Sequence, residues 1–126
     1  MSNKIINSQA APAPIGPYSQ AVQAGNLLFI SGQIPMDTAT GNIITDSVED
    51  ATHLVMTNLK AILSAANLSF DHVVKTTIFL TDMSLFTQVN EVYGSYFTNN
   101  FPARETVAVK GLPKNVHVEI SMIASI

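Results

Sequence analysis

Apolar and polar residues alternate along several short segments of the chain, and this alternation predicts β-strands. The clearest case is Phe101–Ile120 (FPARETVAVKGLPKNVHVEI), where two apolar runs flank a Gly-Leu-Pro-Lys-Asn connection. Leu27–Ile30 (LLFI) is continuously apolar instead, which predicts a strand covered on both faces. Besides the two strands within Phe101–Ile120, the predicted strands are Lys4–Asn7, Ala21–Ala24, Leu27–Ser31 and Val73–Leu80.

Two longer segments carry apolar residues at the spacing of an amphipathic helix. Ser47 and Asp50 together resemble a capping box, so the first helix is predicted to begin after Ser47. Asn67 is a residue at which this helix can end. Its apolar residues are Val48, Ala51, Val55, Leu59, Ile62 and Ala66. The second helix can be capped by Asp82 or Ser84. Its apolar residues are Phe86, Val89, Tyr93 and Phe97.

The predicted order of elements is therefore β β β α β α β β. This order suggests an α+β sandwich, in which two helices cover one face of a mostly antiparallel sheet. No repeat, linker or low-complexity segment divides the chain, so we expect residues 1–126 to form a single domain.

Composition narrows the range of partners. Hydrophobic residues make up 47% of the 126 residues and charged residues only 12%, which leaves apolar surface available for self-association. The net charge is −3 and no basic run is present, so nucleic acid is not the expected partner. No apolar stretch is long enough to cross a bilayer, and the polar N-terminus lacks the apolar core of a signal peptide. We therefore expect no membrane association and a cytoplasmic protein.

Several chemistries are disfavoured by the residues present. Cysteine is absent, which excludes thiolate metal sites and cysteine nucleophiles. His53, His72 and His117 lie far apart and lack metal-ligand spacing, so no metal is expected. The chain also lacks the glycine-rich nucleotide fingerprints and the G-x-S-x-G nucleophile elbow. Acid–base and electrostatic chemistry on a small anion, without a cofactor, remains.

Two charged residues, Arg104 and Glu119, stand in the apolar strands of Phe101–Ile120. A charge in such a strand is costly unless it is exposed, paired or used. Both can be ordinary surface residues of a sheet. The alternative is a small site, in which Arg104 binds a carboxylate bidentately and Glu119 donates or accepts a proton.

Five strings occur in order along nearly the whole chain. They are IGPYSQA (Ile15–Ala21), SGQIP (Ser31–Pro35), VVKTTIFLTD (Val73–Asp82), FPAR (Phe101–Arg104) and LPKNVHVEI (Leu112–Ile120). Together they resemble the Rid family of reactive intermediate deaminases, the YjgF-type enamine/imine deaminases. The resemblance implies a chorismate-mutase-like fold, a homotrimer and ligand sites in the clefts between subunits. It also implies hydrolysis of 2-aminoacrylate- or 2-aminocrotonate-type enamine/imines to 2-keto acids and ammonia.

The same resemblance implies roles for individual residues. Arg104 falls where the family has its carboxylate-binding Arg, and Glu119 where the family has the Glu that handles the proton or water. The positions that line the cleft correspond to Tyr18, Ser31 and Asn90. From the residues alone, Tyr18 can equally pack in the core, Ser31 can bond its own backbone at a strand end, and Asn90 can be an exposed helix residue.

Two further positions belong to the predicted substrate-binding set. Gly32 allows another group to approach the backbone closely. Thr106 stands where the family often has a Cys, so thiol chemistry does not transfer to this chain.

Two other functions stay open at this point. One is a regulatory trimer that binds a keto acid without turning it over, and the other is a protein-interaction or RNA-acting module. The sequence also leaves open whether Arg104 and Glu119 meet within one chain or across subunits.

Overall fold

The computed structural model describes residues 3–126. Its strands and helices follow the predicted order. The strands are β1 (Lys4–Ile6), β2 (Ala21–Ala24), β3 (Leu27–Gln33), β4 (Val73–Leu80), β5 (Ala103–Ala108) and β6 (Val118–Ser125). The helices are α1 (Val48–Ala65) and α2 (Phe86–Gly94). Short 3-10 turns at Phe70–His72, Met83–Leu85 and Pro113–Asn115 precede β4, α2 and β6.

The six strands form one sheet in the order β1-β2-β3-β6-β4-β5. Neighbouring strands are antiparallel except β4 and β5, which are parallel and joined through α2. The predicted mostly antiparallel sheet is therefore confirmed. The two strands of Phe101–Ile120 are not neighbours, because β4 lies between β5 and β6.

Both helices pack on the same face of the sheet, as predicted. Ser47 caps α1 by accepting a hydrogen bond from the Asp50 backbone N–H at 3.0 Å, and Asn67 follows the helix in the left-handed conformation with φ 61°. β6 runs through the centre of the sheet with strict alternation, since each second side chain from Val118 onward is buried beneath the helices. The core therefore lies between this face and the helices.

Within residues 3–126, no helix covers the opposite face of the sheet, and we call it the uncovered face. In β3, Leu28 and Ile30 are buried, whereas Leu27 and Phe29 are 38% and 44% exposed. The prediction that this strand is covered on both faces is therefore wrong for one chain. Strand register aligns an apolar row across this face, formed by Ile5, Val22, Phe29 and Ile123.

The proline-rich loop before β2 is fixed by one buried side chain. Gln20 is only 3% exposed, and its amide oxygen accepts a hydrogen bond from the Ser8 backbone N–H at 2.6 Å. Its amide nitrogen donates to the carbonyl groups of Ser8, Ala11 and Pro12. These bonds satisfy backbone groups that no strand or helix pairs. They hold the loop that leads to Tyr18 against the sheet.

Candidate functional site

Arg104 lies on the edge strand β5, in contact with α2. Its Nη1 donates a hydrogen bond to Asn90 Oδ1 at 2.5 Å. Its guanidinium carbon lies 5.5 Å from the centre of the Phe86 ring and 5.4 Å from the centre of the Tyr93 ring, within the range of cation–π attraction. These three partners share one side of α2, because they are spaced four and three residues apart. The helix therefore fixes the orientation of the guanidinium.

Tyr93 connects this arrangement to the core. Its hydroxyl donates a hydrogen bond to Thr76 Oγ1 at 3.0 Å, and both side chains are buried. Burial raises the pKa of the Tyr93 hydroxyl, and the Thr76 hydrogen bond and the Arg104 charge offset only part of that rise. Tyr93 is therefore a neutral, firmly held ring beneath Arg104.

A cavity of about 430 Å³ opens beside Arg104. It is lined by Asn90, Tyr93, Gly94, Phe101, Pro102 and Arg104. One guanidinium nitrogen donates to Asn90, and the remaining N–H groups, which have no partner among the described residues, can bind a planar anion such as a carboxylate. We call this space the Arg104 cavity.

Glu119 lies on β6 and faces a second cavity. Its carboxylate sits against Gly32 of β3, where an added Cβ would overlap it and would lie 2.8 Å from its carboxyl carbon. β3 is irregular between Ile30 and Gln33, so Gly32 leaves space for the carboxylate at a break in the strand pairing. Burial raises the pKa of the Glu119 carboxyl above its ordinary value, because desolvation disfavours the charged form.

This second space, the Glu119 cavity, measures about 290 Å³. It is lined by Ile15, Tyr18, Ser31, Gly32, Ile34, Pro113 and Glu119. Tyr18 is 46% exposed, so its interpretation as a core residue is wrong. The Ser31 hydroxyl donates to the Ser19 carbonyl at 2.6 Å, which is the structural role expected at a strand end, yet the residue also lines the cavity.

Arg104 and Glu119 do not meet within one chain. Strand register aligns Arg104 with Thr76 and Met122, which are buried under the helices. Glu119 aligns with Phe79 on β4, and both residues alternate with buried neighbours. Residues that are aligned across neighbouring strands share one face of the sheet, and successive residues along a strand alternate between the two faces. Arg104 therefore lies on the helix side of the sheet and Glu119 on the uncovered face.

Thr106 lies two residues beyond Arg104 on β5. Its hydroxyl oxygen is buried and has no hydrogen-bond partner among residues 3–126. No base contacts it there, so none of these residues activates it as a nucleophile. Within the same described residues, no cluster of three or more His, Cys, Asp and Glu side chains could hold a metal ion. Neither helix of this part of the chain combines the length and apolarity needed to cross a membrane.

The aromatic support of Arg104 is not predicted by the sequence patterns. They place Phe86 and Tyr93 in the apolar stripe of the second helix. The available signal was Asn90, a polar residue that stands between them at helical spacing and marks the side of α2 that meets Arg104. Of the seven predicted site residues, Arg104 and Asn90 line one cavity, and Tyr18, Ser31, Gly32 and Glu119 line the other. Thr106 lines neither of these two cavities.

Similarity to known proteins agrees with this architecture. Residues 8–126 match the family model described as Endoribonuclease L-PSP. A protein of Dermatophagoides farinae named 2-iminobutanoate/2-iminopropanoate deaminase is 44% identical over 123 residues, which cover 98% of this chain and 96% of that protein. The crystal structure of a Rid family protein from Yersinia pestis has a TM-score of 0.96 at 43% identity, covering 99% of this chain and 100% of that one. The crystal structure of E. coli TdcF with bound serine has a TM-score of 0.93 at 45% identity, covering 98% of each chain.

Proposed function

This chain belongs to the Rid family, and on that premise we propose that it is an enamine/imine deaminase. The proposed substrates are reactive 2-aminoacrylate- and 2-aminocrotonate-type intermediates, and the products are 2-keto acids and ammonia. The observation that carries the proposal is the orientation of Arg104. A guanidinium held by Asn90 beside an open cavity is suited to bind the planar carboxylate that these substrates share.

The chemistry needs no cofactor. Protonation of the enamine carbon gives an iminium ion, and water then adds to its electrophilic carbon. The carbon–nitrogen bond of the resulting carbinolamine breaks after proton transfer to nitrogen, so one water is consumed and one ammonia is released. A half-buried carboxyl group with a raised pKa, such as Glu119, can donate the first proton and then orient or deprotonate the water.

The proposed active unit is a homotrimer. Within one chain Arg104 and Glu119 lie on opposite faces of the sheet, so a shared site requires a second chain. The uncovered face supports association, because Phe29 and Ile5 are 44% and 57% exposed on it. In a closed ring of three chains, the Arg104 cavity of each chain faces the Glu119 cavity of its neighbour.

The relatives support the same chemistry. The Dermatophagoides farinae protein carries the name of an imine deaminase, and TdcF was solved with serine, an amino acid with an α-carboxylate. Both agree with a site that recognises small amino-acid derivatives.

The test is to supply the imine enzymatically. A pyridoxal-phosphate dehydratase acting on serine or threonine releases the enamine, and lactate dehydrogenase reports the keto acid as it forms. The purified protein should shorten the lag set by uncatalysed hydrolysis. Glu119→Gln should lose this effect, whereas Lys60→Met, a neutral replacement of an exposed residue on α1, should keep it.

Two outcomes would contradict the proposal. An unchanged lag, combined with binding of 2-ketobutyrate in a calorimeter, would indicate the regulatory keto-acid-binding trimer instead. An unchanged lag without keto-acid binding would exclude both functions.

A further inference from the structure

The connection from β5 to β6 contains a backbone conformation that one of its residues does not favour. Lys114 lies in the left-handed region with φ 60° and ψ 18°, and Asn115 follows with φ 59°. Asparagine tolerates this region, but lysine is uncommon there, because its Cβ approaches the following carbonyl oxygen. Glycine would hold the same turn without this steric cost. The local backbone therefore gives no reason for a lysine at this position.

This turn lies beside the Glu119 cavity. The Asn115 N–H donates to the Leu112 carbonyl at 3.1 Å, which closes the turn around Lys114. Pro113, the residue directly before Lys114, lines the cavity. Lys114 itself is exposed. The strained position therefore places a solvated lysine at the edge of the cavity.

The connection from β5 to β6 is cationic as a whole. It contains Lys110, Lys114 and His117 and neither Asp nor Glu. Both of its ends are hydrogen-bonded to the end of β4, so these residues stay at one end of the sheet. Among the described residues a salt bridge joins Lys75 to Glu105 at 3.2 Å, and Lys110 and Lys114 take part in none. Their charges are therefore available to an anion from solution.

The charge of the rest of the chain opposes the binding of anions. The net charge is −3, and Glu119 stands in the cavity itself. The proposed substrates carry a carboxylate, and they hydrolyse in water without a catalyst, so the protein acts only on molecules that it captures in time. A local group of positive charges raises both the concentration and the association rate of an anion at the mouth of a cleft.

We propose that Lys114, together with Lys110, attracts the anionic substrate to the cleft before its carboxylate reaches Arg104. The two lysines act on capture through their charge and do not touch the reacting atoms. They therefore raise kcat/KM and leave kcat unchanged. This inference rests on the proposed function, because the anion that it concerns is the imino acid.

The test is the salt dependence of kcat/KM. The double variant Lys110→Gln/Lys114→Gln is compared with Lys4→Gln/Lys60→Gln, which replaces exposed lysines of β1 and α1, and both change the formal net charge from −3 to −5. At about 0.01 M salt the first variant should lower kcat/KM about three- to tenfold. At about 0.5 M salt the loss should disappear, because the charges are screened. The control variant should stay within about twofold of the wild type at both salt concentrations.

Lys114→Gly separates the charge from the backbone. It relieves the left-handed lysine, so it should raise the melting temperature by about 2–4 °C while lowering kcat/KM at low salt. The matching neutral amide of the imino acid should respond to none of these changes. A loss that persists at high salt, or that is equal for the acid and the amide, would show that the turn shapes the cavity and would overturn the proposal. The absence of any loss at low salt would overturn it as well.

Failure of this inference can be told apart from failure of the proposed function. If no imine is turned over, calorimetry with 2-ketobutyrate at the same two salt concentrations decides the question. Binding that the Lys110→Gln/Lys114→Gln variant weakens at low salt alone would support the attraction of anions although the deaminase proposal fails. Equal binding by the wild type and this variant would overturn the inference, and the absence of binding would overturn both proposals.

Discussion

Replacement of Arg104 tests the anchoring of the substrate carboxylate. Arg104→Met keeps an apolar side chain against the rings of Phe86 and Tyr93 but removes the N–H groups that face the cavity. A charge-assisted hydrogen bond contributes about 1.5–3 kcal/mol net. Its loss should therefore lower kcat/KM by about 10- to 150-fold. Arg104→Lys retains the charge but loses the planar fork, so it should remain clearly impaired.

The fold should tolerate these changes. Each cation–π contact contributes about 0.5–1 kcal/mol at a partly exposed site, so Arg104→Met should lower the free energy of unfolding by only about 1–2 kcal/mol. Chemical denaturation measures this quantity. A much larger destabilisation would mean that Arg104 supports the fold, and the kinetic loss would then carry no information on substrate binding.

A substrate without the carboxylate provides the control. The assay compares an imino acid with the matching neutral amide, each with the wild type and with Arg104→Met. The wild type should act poorly on the amide. Arg104→Met should lower the activity on the amide only slightly further, because the amide lacks the carboxylate that the guanidinium binds. Equal proportional losses on the acid and the amide would refute the assignment of Arg104 as the anchor.

Four further predictions follow from the two cavities and the uncovered face. Sedimentation equilibrium at micromolar concentration should give three times the mass of one chain. Phe29→Lys should lower the measured mass toward that of a single chain. A monomeric wild type would contradict the proposed trimer. Gly32→Ala should push the Glu119 carboxylate aside and lower kcat about tenfold or more, with the melting temperature as the check that the fold is intact. Burial raises the pKa of Glu119, whereas the positive charge of Arg104 from a neighbouring chain would lower it. Arg104→Met should therefore raise the pKa of Glu119 in a ¹³C NMR titration. An unchanged pKa would mean that the two groups do not share a site. Thr106→Val should keep activity within about twofold. It should raise the free energy of unfolding by about 1 kcal/mol, because the buried Thr106 hydroxyl has no partner among residues 3–126. Loss of activity with an intact trimer would give Thr106 a chemical role.

Local patterns in the sequence predict the elements well. The pattern predicts Val73–Leu80 as a strand with the bounds that the structure has, because its β-branched residues fit the pleated, half-buried surface of a sheet. The cap at Ser47 and the helix end at Asn67 likewise depend on a few adjacent backbone groups. Such features need no knowledge of distant parts of the chain.

The arrangement of the site could not be predicted in this way. The opposite orientation of Arg104 and Glu119 depends on the insertion of β4 between β5 and β6, which is a contact between segments far apart in sequence. A shift of one residue in either register would reverse the face of that side chain. The apolar run Leu27–Ile30 predicts cover on both faces, whereas Leu27 and Phe29 are exposed in the part of the chain that the structure describes, because a local pattern does not state which distant segment packs on a strand. The roles of Phe86 and Tyr93 are also ambiguous in the sequence, because aromatic residues at helical spacing can pack in the core or contact a cation through the ring face.

The placement of Arg104 and Glu119 on opposite faces also has a genetic consequence. If each site takes its arginine from one chain and its glutamate from the next, an allele that lacks Arg104 and an allele that lacks Glu119 damage different halves of the same site. When both alleles are expressed in one cell and their chains assemble at random, about a quarter of the interfaces combine the two intact halves. Two loss-of-function alleles would then complement each other, although neither encodes an active protein alone.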